Sequence, residues 1–134
     1  MKVYDGSCHC GNIKYTVALN EALAPEGTGI ITRCNCSICT KNGYFNVYPR
    51  REDVVFENGC DSKLKSYLFG KKRKPHRFCP ECSSSILIDF KDSDVEDQRP
   101  LLAMNASHFK DIDLANASYF YYDGKTKLDP PYQG

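Results

Sequence analysis

The stretch RFCPECSSSI, residues 77–86, decides the fold. Within it, Cys79-Pro80-Glu81-Cys82 is a tight turn that presents two thiols from one short loop, with Pro80 presetting the backbone. Such a pair is either a redox dithiol or half of a metal site. The redox reading requires a βαβ setting, and the surrounding sequence does not supply one. SSILIDF (84–90) is a β-branched apolar run. Upstream, Ile13, Tyr15, Val17 and Leu19 alternate with the two-residue period of a half-buried strand. The runs at 29–34, 44–49, 62–69, 100–105 and 117–122 continue in the same style, rich in β-branched and aromatic residues. Asn42-Gly43, Asn58-Gly59 and Asp123-Gly124 punctuate them as turns. Helical signals are confined to a short piece after Cys36 and another around 109–114. The expectation is an all-β chain of several small antiparallel sheets with few short helical turns, one domain over residues 1–134. The tail LDPPYQG is expected to be irregular, since its prolines cannot sit inside a ladder.

The eight cysteines then need a role. The opening MKVYDGSCHCG lacks the apolar stretch of a secretory signal, and no run of 18 apolar residues exists to span a bilayer. A cytoplasmic, reducing setting is expected, where clustered cysteines bind metal rather than pair as disulfides. On a strand, Cys8 and Cys10 of C-H-C would face one side and His9 the other. Joined by Cys79 and Cys82, they make a closed four-thiolate site that ties the N-terminal hairpin to a late strand and contributes folding energy. Four thiolates do not by themselves separate zinc from an iron–sulfur cluster; zinc is the expectation.

RCNCSICTKNGY (33–44) repeats the pattern with one ligand fewer. Cys34 and Cys36 would share a strand face, and Cys39 would return on the following turn. Three protein ligands are what a catalytic zinc has when it keeps a position for water or substrate. The competing reading is that Cys60, alone after Asn58-Gly59, closes the site and makes it structural. If the site is open, it suits a thiol. A metal ion there favours the thiolate, the nucleophile for an aldehyde carbon, whereas three thiolate ligands blunt the Lewis acidity needed to polarise a carbonyl. Tyr44, beside this stretch, and His76, near the C-P-E-C turn, are the candidate residues on the binding side, His76 as a proton shuttle or as a support to the ligands.

Charge adds little. The formal net charge of +1 sets up no global field toward nucleic acid or membrane. GKKRKPHR (70–77) is a local basic run, and KDSDVEDQ (91–98) a local acidic one, both expected as solvated loops. The basic run sustains an alternative, a non-catalytic zinc-stapled module or thiol carrier, chromatin-associated and nuclear, although a nucleic-acid partner is not the expectation. Nothing in the sequence speaks to the oligomeric state.

Three pieces in order, GSCHCGNIKYTV (6–17), CNCSICTKNGY (34–44) and RFCPECSSSI (77–86), resemble the glutathione-dependent formaldehyde-activating enzyme family, whose domain also occurs in centromere protein V. LKSYLFG (64–70) and LLAMNASHFKDIDL (101–114) extend the resemblance over nearly the whole chain. It implies a zinc-stapled β-tent fold. It implies two zinc ions per chain: a structural one on Cys8, Cys10, Cys79 and Cys82, and a second on Cys34, Cys36 and Cys39, with no counterpart for Cys60. It implies a carbon–sulfur lyase that joins glutathione and formaldehyde into S-(hydroxymethyl)glutathione. One departure is visible: the family's glycine after the last cysteine is here Ser83. Serine fits that place provided that the backbone does not need a positive φ.

Overall fold

In the computed structural model, which describes residues 1–127, 132 and 134, ten strands form two sheets. β1 (Lys2–Ser7), β2 (Lys14–Leu19) and β5 (Val54–Phe56) make a three-stranded antiparallel sheet. The other strands are β3 (Ile30–Cys34), β4 (Asn46–Val47), β6 (Lys65–Tyr67), β7 (His76–Phe78), β8 (Ser85–Asp89), β9 (Leu102–Asn105) and β10 (Ser118–Tyr122). They form a seven-stranded sheet in the order β10-β3-β4-β9-β8-β7-β6. Two short helices, α1 (Ser37–Asn42) and α2 (Gly124–Lys127), complete the regular structure.

The all-β reading holds, with two differences in detail. The strands gather into two sheets rather than several, and β10 runs parallel to β3, pairing Phe120 with Thr32 and Tyr122 with Cys34. A hairpin turn enforces antiparallel neighbours. The connection from β3 to β10 runs through most of the chain, so no such turn dictates direction.

Register sorts the side chains of the larger sheet into two sets. Directly opposed residues share a face. Leu87 opposes Met104, and Ile88 opposes Ala103. The Leu87–Met104 face packs with Ile31 and Val47 against Tyr4, Tyr15 and Val17 of the three-stranded sheet. The Ile88–Ala103 face packs with Phe90 and Tyr44 beneath α1. Hence β8 and β9 are buried on both sides and read as unbroken apolar runs rather than alternating ones. Val17, Ile31 and Met104 are fully buried, each worth about 1.5–3 kcal/mol by area.

Other expectations fail for local reasons. Around 109–114 there is no helix; a 3-10 turn covers Ala106–His108, and Asp111 takes a left-handed φ of 61°, which stops helical continuation. The strand expected over 62–69 shrinks to β6 because Glu57–Lys63 winds as 3-10 turns about Asn58 and Gly59, both at positive φ. Of the expected irregular tail, residues 128–131 and 133 lie outside the described residues. Among the described residues, no helix is long and apolar enough to cross a membrane.

Candidate metal centres

The first cluster joins the two sheets. Cys8, Cys10, Cys79 and Cys82 bring their Sγ atoms within 4.8 Å of one another. Cys8 and Cys10 sit on the turn between β1 and β2 and not on a strand as expected; the turn is closed by Gly11 N–H to Cys8 O at 3.2 Å, with Gly11 at φ 85°. The Cys8 and Cys10 sulfurs are 3.6 Å apart, and those of Cys10 and Cys79 are 3.7 Å apart. Four sulfurs around one zinc with ~2.3 Å bonds stand roughly 3.8 Å apart, so an all-sulfur donor set at this spacing fits zinc, whereas a disulfide needs ~2.05 Å. The Ile13 N–H donates to Cys8 Sγ at 3.3 Å, and the Ser84 hydroxyl lies 3.2 Å from Cys82 Sγ. Against the Asn12 backbone N–H, burial and the neighbouring thiols push Cys10 up to about 12. Against burial, the Ser84 hydroxyl and the Cys10 backbone pull Cys82 down to about 5. His9 is exposed and stands outside the donor set, tied through its backbone N–H to Ser84 Oγ at 3.1 Å.

The C-P-E-C turn closes with Ser83 N–H to Cys79 O at 2.9 Å and Cys79 N–H to Ser84 O at 3.0 Å. Ser83 has φ 65°. The position does demand the left-handed region, so serine stands where glycine is the unstrained choice.

The second cluster lies on the opposite face of the larger sheet. Cys34 ends β3, Cys36 is the extended N-cap of α1, and Cys39 lies one turn into the helix with its side chain buried. This is a strand-to-helix corner rather than the strand pattern expected. Their Sγ atoms also fall within 4.8 Å of one another. The Cys36 N–H donates to Cys34 Sγ at 3.4 Å, and Gly43, at φ 61°, ends the helix. The Cys39 thiol, outweighing burial, and the backbone N–H groups around it pull Cys36 down to about 5. The same interaction, with burial, pushes Cys39 far up. Three sulfur donors, one already favoured as a thiolate, suit a thiophilic metal.

Cys60 takes no part. It is buried in the core between the sheets, where its thiol donates to Lys14 O at 3.2 Å and accepts from Lys14 N–H at 3.4 Å. Among the described residues, the three-cysteine set therefore stays at three.

Tyr44 and His76 meet each other. The Tyr44 hydroxyl is 2.9 Å from His76 Nδ1 and accepts from Asn42 Nδ2 at 3.0 Å. Since the amide donates, the phenol is free to give its own proton to Nδ1, which places the imidazole proton on Nε2. Tyr44 packs in the same buried cluster as Cys39, and burial followed by the Lys74 charge pulls His76 down to about 4. His76 thus sits beneath the three-cysteine face and not, as its sequence position suggested, beside the C-P-E-C turn.

A groove of about 380 Å³ opens beside Cys34 and Cys39, walled by Arg33, Thr40, Tyr122 and Asp123. Sequence reasoning missed this wall, because the parallel pairing that delivers Tyr122 to Cys34 leaves no local signal. Tyr48 was also missed. It shares a sheet face with Cys34 through the Thr32–Asn46 pair, and burial with the Cys39 charge pushes its phenol up to about 12. Strand alternation from Asn46 was the signal that could have found it.

The basic run is largely engaged. Arg73 and Lys71 pair with Asp94 at 2.5 and 3.4 Å, Lys74 lies over the Phe90 ring, and Arg77 donates to the Asp61 and Leu64 carbonyls. The basic and acidic runs thus hold each other.

No curated protein sequence matches the chain significantly. A crystal structure of a Rhodobacter sphaeroides protein superposes with a TM-score of 0.67, covering 87% of this chain and 99% of that one at 22% identity, a likeness of fold. The family described as glutathione-dependent formaldehyde-activating enzyme matches residues 3–122. With its cysteine framework assembled as two clusters on either side of one sheet, the chain belongs to the glutathione-dependent formaldehyde-activating enzyme family.

Proposed function

We propose that the protein binds two zinc ions, and that the three-cysteine site receives a small thiol, glutathione, and handles its formaldehyde adduct as a carbon–sulfur lyase. Cys8, Cys10, Cys79 and Cys82 hold the structural ion; Cys34, Cys36 and Cys39 hold the other. The observation that carries this reading is the engagement of Cys60 by the Lys14 backbone, which leaves the second site one donor short of the usual four. Zinc held there would favour the thiolate form of an incoming thiol.

The reaction adds the thiol sulfur to the aldehyde carbon. One C–S bond forms, the carbonyl π pair moves to oxygen, and the thiol proton ends on that oxygen. The chain's own part is positional. The strand-to-helix corner sets Cys34 and Cys39 on the wall of the groove, and Tyr44, bonded to Asn42 at the helix end and to His76, braces that corner. His76, pulled down to about 4 and with Nδ1 facing the phenol, would brace the site as a neutral imidazole. The engagement of the basic run in ion pairs and carbonyl contacts favours this reading over a chromatin module.

Metal analysis should return two equivalents of zinc per chain. Cys36→Ser should lose one equivalent, keep the far-UV circular dichroism of the parent and lose glutathione binding. Exchange NMR between hydrated formaldehyde and S-(hydroxymethyl)glutathione then reads catalysis directly. Glutathione binding that persists in Cys36→Ser would overturn the assignment.

A further inference from the structure

We propose that β10 pairs antiparallel with β10 of a second copy of this chain, about a twofold axis at Phe120, joining the two larger sheets into one. β10 ends the seven-stranded order, so one side of its backbone faces outward. The Asn35 N–H donates to Tyr122 O at 3.2 Å, which turns the backbone groups of Tyr122, and by alternation those of Phe120, toward β3. The N–H and C=O of Tyr119 and Tyr121 then point outward, and among the described residues no backbone group meets them there. The other three sheet edges are guarded. β1 is covered by the Gly6–Phe109 bridge and by Lys110 N–H to Asp5 O at 2.9 Å, and β5 and β6 span only three residues each. β10 runs for five residues, Ser-Tyr-Phe-Tyr-Tyr, with no charge, glycine or proline to deter a partner. α2 leaves this edge clear: Lys125 N–H donates to Asn35 Oδ1 at 2.8 Å and Lys127 lies over the Tyr122 ring, so the helix folds back on the sheet.

The edge fits its own copy. In the antiparallel register centred on Phe120, Tyr119 exchanges both backbone bonds with Tyr121 of the other copy, and Tyr121 with its Tyr119. Phe120 then meets Phe120 between these pairs, where opposed side chains come closest. Phe120 is 54% and Tyr121 74% exposed in the single chain, and this pairing covers both. Charge agrees with it. Asp111 and Asp113 precede the strand and Lys125 and Lys127 follow it, so the acidic end of each copy is directed toward the basic end of the other. Phe120 opposes Thr32 as Tyr122 opposes Cys34, which puts Phe120 on the Cys34 face. The two three-cysteine sites therefore flank the axis on one face of the joined sheet, with Ser118 of each copy opposite Tyr122 of the other.

Sedimentation of the full zinc-loaded chain should show a monomer–dimer equilibrium, with the Tyr119 and Tyr121 amides protected from hydrogen exchange in the dimer and released on dilution. Tyr121→Pro removes only an outward donor, and should raise the dimer dissociation constant roughly tenfold or more with zinc content and far-UV circular dichroism unchanged. Phe120→Lys and Phe120→Glu each oppose like charges at the axis and should be monomeric, whereas their mixture should form a heterodimer. A wild type that stays monomeric at about 1 mM would overturn the inference; protection of the two amides in that monomer would assign the edge to a segment of the same chain. A dimer that survives all three substitutions would place the interface elsewhere and overturn it too. Monomeric Phe120 variants whose mixture stays monomeric would overturn the register at Phe120.

Discussion

Ser83 carries a backbone cost that its neighbours do not. Its φ of 65° is set by the C-P-E-C turn, because Cys79 O must receive the Ser83 N–H while Cys79 N–H reaches Ser84 O. An L-residue there costs roughly 1–2 kcal/mol, partly offset by the greater freedom that glycine loses on folding. Ser83→Gly should therefore stabilise the zinc-loaded protein by about 0.5–1 kcal/mol, read as a higher urea midpoint at unchanged slope. No gain would mean that the turn relaxes at no cost. At this scale the sequence was highly legible for which cysteines come together, since C-x-C and C-x-x-C spacing fits few other uses. It was mute on Tyr122 and Asp123, which reach the groove beside Cys34 only through a strand distant in sequence.

Elements explain where legibility ended. The Asn42-Gly43 signal correctly marks the end of α1, because a left-handed C-cap is a local property of the chain. The pairing of β10 with β3 is not local, and neither is the meeting of Tyr44 with His76 from opposite sides of the cysteine pattern. That meeting has a pH signature. His76 is pulled from 6.5 to about 4 by burial and by Lys74, so the folded protein binds its proton less readily than the unfolded chain. Its contribution is fully present above pH 6.5 and is lost as the pH falls toward 4, by up to about 3 kcal/mol. NMR of the imidazole should give a midpoint near 4, and His76→Gln should lack this part of the acid slope. An imidazole titrating near 6.5 would remove the argument.

Across the whole molecule, one sheet separates two cysteine clusters, to which the proposed function gives different tasks. Cys8, Cys79 and Cys82 belong to the core between the sheets, while Cys34, Cys36 and Cys39 flank the cluster under α1. On the proposed function, loss of the first ion would leave unpaired thiols at the junction of the two sheets, and loss of the second would disturb only a corner. Gradual chelation with a coloured zinc reporter should therefore proceed in two steps. One equivalent should leave with the far-UV spectrum intact, and the other should leave together with the fold. Release of both in a single unfolding event would contradict the division of labour.

The parallel strand β10 bears on how the chain comes into being. Every thiol of both clusters lies at or before Cys82, yet Tyr122 and Asp123 of the groove arrive only with β10 and the turn that follows it. On the ribosome, all seven sulfurs emerge before the wall beside them exists. Metal capture by the proposed sites would therefore not have to wait for the last strand, whereas the wall of the groove is complete only once that strand docks.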